Sequence, residues 1–150
     1  MDKKTIKGAL DIIKGVETYR PSLYNIAIKN GYAYFTDGYI IVRIKTDHKD
    51  AIVGGKQLKV QYATLKAKEY CTEWHDDGGT VPDYEEMYGR FGESEPIKDG
   101  ATIDPNVFKK LAPFGNLKMT IVRSNKYLEQ KLVKFEGDGV LAYVCPMVEK

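Results

Sequence analysis

The chain has 150 residues, a mass of 17.0 kDa, a formal net charge of +2 and 43% hydrophobic residues. That length and apolar content suit one domain or two tightly fused halves and exclude a disordered chain. The near-balance of charge excludes a histone-like polycation but still allows a basic face. No apolar run approaches the roughly 20 residues that span a bilayer. The opening MDKKTIKGALDIIKG reads as no export signal, and two cysteines, Cys71 and Cys145, fit a reducing cytoplasm.

Residues 3–17 read as an amphipathic helix. Ile6, Ala9, Ile13 and Val16 recur at helical spacing, with Leu10 at the edge of the stripe and Asp2 as a plausible N-cap. Lys3, Lys7 and Lys14 fall on the opposite side, beside Lys4 and Asp11. Such a face is either simply solvated or a row of cations that meets phosphates. Pro21 then ends the helical stretch.

Leu23 to Thr46 reads as three strands joined by two tight turns. Asn30-Gly31 and Asp37-Gly38 each sit between β-branched and aromatic runs, the pattern that supplies two positive-φ positions to a type I′ turn. Ile40, Val42 and Ile44 alternate with Tyr39, Ile41 and Arg43, which suggests an antiparallel sheet covered on one side. Tyr24, Tyr32, Tyr34 and Tyr39 are either cross-strand packing or a base-stacking platform.

Residues 47–100 are the least regular. Gln57 to Val60 suggests a short strand. Cys71 and His75, beside Asp76 and Asp77, invite a metal site, but a structural zinc site wants four ligands and usually paired cysteines. Glu85 and Glu86 are adjacent, so they point to different faces and do not flank one substrate. No metal or other cofactor is expected.

Asp104 and Pro105 suit an N-cap and the first residue of a second helix, with Val107, Phe108 and Leu111 on one side, Lys109 and Lys110 towards the other, and Pro113 at its end. Three further strands follow, at 117–123, 130–136 and 139–144, with Gly137-Asp138-Gly139 as a turn. Helix and three strands therefore occur twice, at about 1–46 and 101–147, around an irregular insertion at about 47–100. The fold class is α+β, a single domain with two helices packed on antiparallel sheet. No phosphate loop, nucleophile elbow or obvious catalytic base is present, so no enzyme is expected.

The repeated unit resembles the domain of bacterial DNA polymerase III β sliding clamps. RPSLYNIAIKNGYAYFTDGYIIVRI is similar to the clamp pattern of a strand, a turn, a second strand ending in Thr-Asp-Gly, and a third strand. Val81-Pro82-Asp83-Tyr84 resembles the clamp's Phe-Pro-Asp-Tyr, which in clamps precedes a strand and a helix. Ala142-Tyr143-Val144-Cys145-Pro146-Met147 resembles the closing Ala-Tyr-Val-x-x-Pro-Met, one residue shorter. The resemblance implies a DNA-clamp fold whose helix cations meet duplex DNA backbone without reading sequence. The matching residues are Lys3, Lys7, Lys14, Lys109 and Lys110. It also implies a pocket for a short replication-protein peptide, built from Pro82, Met87, Val144, Cys145, Pro146 and Met147.

Two departures stand out. A clamp chain carries three such domains, so a ring of this chain would be a homo-oligomer of six copies. The Pro-Asp-Tyr motif lies between the halves of one domain rather than between domains. A lone clamp-like domain is a form that suits a phage or mobile element. Two functions follow from the resemblance: a DNA-replication or repair accessory, such as a processivity factor, that touches duplex backbone; or a clamp-fold interaction module that binds peptides or a host replication protein without DNA.

Overall fold

The computed structural model describes residues 1–67, 69–71, 73–124 and 130–147. Eight strands form one antiparallel sheet. They are β1 (Asn25–Lys29), β2 (Tyr32–Thr36), β3 (Ile40–Lys45), β4 (Ala51–Gly54), β5 (Ser94–Pro96), β6 (Lys118–Ser124), β7 (Lys131–Gly137) and β8 (Val140–Val144), in the order β4-β1-β2-β3-β8-β7-β6-β5. The order reads the same outward from the central seam, where β3 pairs with β8 and Val42 lies opposite Ala142. That seam joins the N-terminal and C-terminal halves through backbone hydrogen bonds, so neither half has a free edge at the centre of the molecule.

Alternation along the central strands divides the sheet into two apolar faces. Ile26, Ile28, Ala33, Phe35, Ile40, Val42 and Ile44 point to one face, with Val133, Phe135, Val140, Ala142 and Val144 from the other half. Helix α1 (Lys3–Ile13) presses Ile6, Ala9, Ile12 and Ile13 onto this face, and all four are fully buried. Full burial of each isoleucine is worth about 1.5–3 kcal/mol. α1 begins where Asp2 Oδ1 accepts the Thr5 N–H at 2.8 Å and continues as a 3₁₀ turn over Lys14–Val16.

Two more helices share this face. Helix α2 (Gly55–Thr64) anchors through Leu58, and helix α4 (Asn106–Leu111) through Val107 and Leu111. The residues read as a short strand, Gln57 to Val60, are helical instead. Gly54 is the N-cap of that helix and Gly55 its first residue, and the Tyr24 ring lies where a Cβ on Gly55 would sit. α4 begins one residue later than expected, with Pro105 rather than Asp104 at the N-cap, although Asp104 Oδ1 still accepts the Asn106 N–H at 2.9 Å.

The opposite face is covered too. Helix α3 (Tyr84–Gly92) follows Pro82-Asp83 directly, with no intervening strand. Asp83 Oδ1 accepts the Glu86 N–H at 3.1 Å; Glu85 and Glu86 lie in the first turn and Arg90 in the last, all favourable to the helix dipole. Tyr84, Met87, Tyr88 and Phe91 form its inward stripe against Ala27, Tyr34, Ile41, Leu132 and Tyr143. Among the described residues there are therefore four α-helices, three on one face of the sheet and one on the other, where the sequence pattern suggested two helices and one covered face.

The two hairpin turns differ. Asn30 and Gly31 both have positive φ, 49° and 86°, as a type I′ turn requires. At the second turn only Gly38 does, at 95°. There the Asp37 carboxylate replaces the missing backbone geometry: its Oδ1 accepts the N–H groups of Tyr39 and Ile40 at 2.8 and 2.7 Å. Among the described residues, no helix is long and apolar enough to cross a membrane.

Candidate nucleic-acid interface

The helix layer formed by α1, α2 and α4 gathers charge of one sign. Residues 3–17, 55–64 and 106–111 carry Lys3, Lys4, Lys7, Lys14, Lys56, Lys59, Lys109 and Lys110 against only Asp11 and Glu17. On the opposite face α3 and its two caps are acidic, with Asp83, Glu85, Glu86 and Glu93 against Arg90, while the strands beneath it add Lys29, Arg43 and Lys134 with Glu136. A chain of +2 overall thus concentrates its excess of cations in one helix layer.

The five lysines singled out from sequence do not behave alike. Lys3 folds back, its Nζ donating to the Leu65 carbonyl at 3.0 Å and standing 4.8 Å from the Tyr62 ring centre. Lys7 is exposed but paired with Asp11 at 2.8 Å. Lys110 reaches down to Asp37 Oδ2 at 3.1 Å. Lys14 and Lys109 are exposed, and among the described residues neither side chain has an ion-pair or hydrogen-bond partner.

Lys4, which the sequence pattern put beside that row, also adds to the layer, as do Lys56 and Lys59, which the pattern did not mark. Lys4 shares the outward stripe of α1 with Lys7, Asp11 and Lys14 at three- and four-residue spacing. Lys56 and Lys59 are exposed on α2, with Lys59 3.6 Å from Glu17. The available signal was the run of good helix formers around Leu58; its buried stripe is too thin to read as a period.

Of the four tyrosines weighed as a stacking platform, Tyr32 and Tyr34 are packing groups on the α3 side, Tyr24 packs on the helix side with Lys59 5.4 Å from its ring centre, and Tyr39 is exposed. Tyr34 stacks on Tyr84 with ring centres 5.3 Å apart and planes 9° apart; Tyr88 meets Tyr34 and Tyr143 edge-on at 5.5 and 5.6 Å. The Arg43 guanidinium lies 4.4 Å from the Tyr32 ring centre and 4.9 Å from that of Tyr88. Tyr88 Oη donates to the Leu141 carbonyl at 2.7 Å, and burial pushes its phenol well above the usual value. These rings are buried under α3 and face away from the lysine layer.

The six residues expected to form one peptide pocket fall on both sides of the sheet. Pro82 lines a cavity of about 240 Å³ on the α3 side with Ala27, Tyr34 and Tyr84, and Met87 is half-buried in the tyrosine layer. Val144, Cys145 and Met147 instead line a cavity of about 220 Å³ with Tyr39, Val107 and Lys110. Pro146 is half-buried between two strand-like bonds, Cys145 N–H to the Tyr39 carbonyl and Met147 N–H to the Thr102 carbonyl. The sheet separates the two groups because α3 packs on the face opposite α1 and α4.

Around Cys71 the side chains have other roles. The Cys71 thiol donates to the Glu73 carbonyl at 3.2 Å, while Asp76 and Asp77 accept backbone N–H groups of β4. Among the described residues, no three histidine, cysteine, aspartate or glutamate side chains stand together as metal ligands would.

Solved structures share this arrangement. The DNA polymerase III β chain of Streptococcus pneumoniae TIGR4 superposes with a TM-score of 0.56 at 11% identity, over 99% of this chain and 64% of that one. The DNA polymerase III β subunit of Borrelia burgdorferi, solved in complex with a natural product, does so with a TM-score of 0.50 at 11% identity, over 100% of this chain and 64% of that one. The fold is sliding-clamp-like. Identity this low speaks for the clamp-like fold alone, and the chain spans about 64% of the length of those clamp chains. No family model matches the chain, and no curated protein matches it.

Proposed function

We propose that the protein is a non-enzymatic DNA-replication or repair accessory that lays its lysine-bearing helix layer against the backbone of duplex DNA. The observation that carries this reading is the clustering of cations in one helix layer of a clamp-like sheet, with eight lysines and two acids in its three helices. Phosphate neutralisation by such a layer is blind to sequence and releases counterions. Lys4, Lys14, Lys56 and Lys109 are the primary contacts. Lys7 joins them by exchanging Asp11 for phosphate, while Lys3 and Lys110 chiefly hold the layer in place.

Nothing in this reading calls for catalysis. A cavity of about 470 Å³ includes Cys71 and His48, but burial raises the Cys71 thiol and so disfavours the thiolate a nucleophile requires. One copy serves as a partial clamp, and several copies around DNA would be a ring.

Fluorescence anisotropy with labelled duplexes of unrelated sequence tests the reading. With about four phosphates neutralised, affinity falls about 10²-fold between about 50 and about 200 mM salt and does not differ between sequences. Changing Lys14, Lys56 and Lys109 together to glutamate abolishes binding. Absence of binding at low salt, or binding that survives the triple change, overturns the reading.

A second reading keeps the fold as a peptide-binding module. It rests on the cavity under the C-terminal segment, where Tyr39 and Met147 are 71% and 57% exposed beside buried Val107 and Val144. A peptide from a replication protein with an apolar anchor suits it. Met147→Asp would then abolish peptide binding, whereas Met87→Asp, across the sheet, would leave it intact; no capture of any replication-protein peptide rejects this module.

A further inference from the structure

The three helices of the lysine layer carry two aromatic side chains, and the fold treats them differently. Tyr62 is half-buried, with Lys3 Nζ 4.8 Å from its ring centre. Phe108 is 52% exposed. It stands on the flank of α4, between the buried Val107 and the exposed Lys109. Its ring meets Phe135 edge-on, with centres 6.0 Å apart and planes at 82°. Together with Leu117 and Met119 it lines a groove of about 190 Å³ between α4 and strands β6 and β7. Met119 is itself 49% exposed, and no charged side chain lines the groove.

Such a surface gains free energy when something apolar covers it, and its surroundings select what does. The groove opens beside Lys109, whose ammonium has no partner among the described residues. It belongs to a layer with eight lysines against two acids, which draws in polyanions ahead of other solutes. A continuous duplex offers this layer phosphates alone, because its bases are stacked and paired inside. An unpaired nucleotide offers the same phosphate and, in addition, a flat apolar face. Cations along the backbone beside an aromatic ring for the base are the combination that holds single-stranded nucleic acid.

We propose that the Phe108–Met119 groove takes an unpaired base of DNA, so that the protein prefers duplex that ends in, or is interrupted by, single strand. The inference rests on the duplex-binding reading and adds the class of DNA to it. Phe108 stacks on the base, the flexible Met119 side chain packs around its edge, and Lys109 meets the adjoining phosphate.

Fluorescence anisotropy on the full chain with three labelled DNAs tests it: a blunt duplex, the same duplex with a single-stranded overhang, and one whose overhang is abasic and so keeps every phosphate. The wild type binds the base-bearing overhang about 5- to 100-fold more tightly than the abasic one, the range for stacking one base on an aromatic side chain. Phe108→Ala erases that ratio and leaves blunt-duplex affinity unchanged, whereas Phe108→Trp keeps the ratio. In the wild type, iodouracil placed as the first unpaired base and irradiated attaches to residues 107–119, as peptide mass mapping reads.

Equal affinity for the base-bearing and abasic overhangs overturns the inference, and the duplex reading stands if the blunt DNA still binds. Absence of binding to all three DNAs at low salt removes the duplex reading and this one with it. A ratio that survives Phe108→Ala, or irradiation that leaves residues 107–119 unmodified, overturns it. A wild-type oligomer that Phe108→Ala disperses in light scattering assigns the groove to a second copy and overturns it too. Should Phe108→Ala lose its native circular dichroism, the iodouracil adduct in the wild type decides.

Discussion

Asp37 and Lys110, 73 residues apart in the chain, meet at 3.1 Å and tie the β2–β3 turn to α4. The Asp37 side chain is 6% exposed and already accepts two turn N–H groups, so Lys110 supplies the charge that a buried carboxylate requires. The Tyr19 hydroxyl donates to the Asp37 carbonyl at 3.3 Å and closes the turn from the end of the first helical stretch. One aspartate of the Thr-Asp-Gly motif thereby organises three separated segments.

Asp37→Ala should cost about 3 kcal/mol, because it removes an ion pair and leaves the buried Ile40 N–H and the part-buried Tyr39 N–H without their acceptor. Lys110→Ala should cost about 1 kcal/mol, since the turn bonds to Asp37 remain. Urea unfolding of both single variants and the double variant measures the coupling directly. Equal costs for the two single changes would show that the ion pair, rather than the turn, carries the effect.

The lysines should rank by their partners. Lys14→Ala and Lys109→Ala each weaken duplex binding for all sequences alike and lower the slope of log affinity against log salt by about 1. Lys110→Ala changes the slope less, because its ammonium is engaged by Asp37. Salt titrations of the three variants by anisotropy check the ranking; a larger slope change for Lys110 than for Lys14 contradicts it.

Two glycines in helices should respond oppositely to alanine. A Cβ on Gly8 would stand 2.8 Å from Pro113 Cβ and 2.9 Å from the Phe114 ring, where α1 crosses the turn after α4. Gly8→Ala should therefore destabilise by about 1–3 kcal/mol despite its better helix propensity. Gly89 in α3 has open space around it, so Gly89→Ala should stabilise by about 0.5–1 kcal/mol. Thermal and urea unfolding of both variants decide this, and a stabilising Gly8→Ala would mean that the crossing is looser than described.

His48 should give stability a pH dependence near neutrality. Burial, and then the Met1 ammonium, hold its imidazolium pKa below the ordinary 6.5; its Nε2 is 3.2 Å from that ammonium and its ring meets Trp74 edge-on at 5.8 Å. Below 6.5 the unfolded chain binds a proton that the folded chain resists, so stability present above 6.5 is lost as pH falls towards the folded value. His48→Gln should flatten that decline in urea midpoints between pH 7 and pH 5. An unchanged profile would assign the decline to other groups.

The sequence by itself determined the local pieces. Asn30-Gly31 dictated its turn because few other residue pairs accept two positive-φ positions, and the apolar stripe of residues 6–16 dictated which side of α1 is buried. Ile40, Val42 and Ile44 announced the face of β3 that meets the helices. Only the tertiary structure decided what those pieces do together. An apolar stripe such as Tyr84, Met87, Tyr88 and Phe91 states that a helix is buried, but not on which of two apolar sheet faces. Packing α3 opposite α1 split the expected peptide residues, and docking α2 beside α1 added Lys56 and Lys59 to the cationic layer. Likewise Lys110 reads in sequence as one more surface cation. Its pairing with Asp37 depends on β3 meeting β8, a contact between residues about 100 apart, and neither period nor propensity reports contacts at that range.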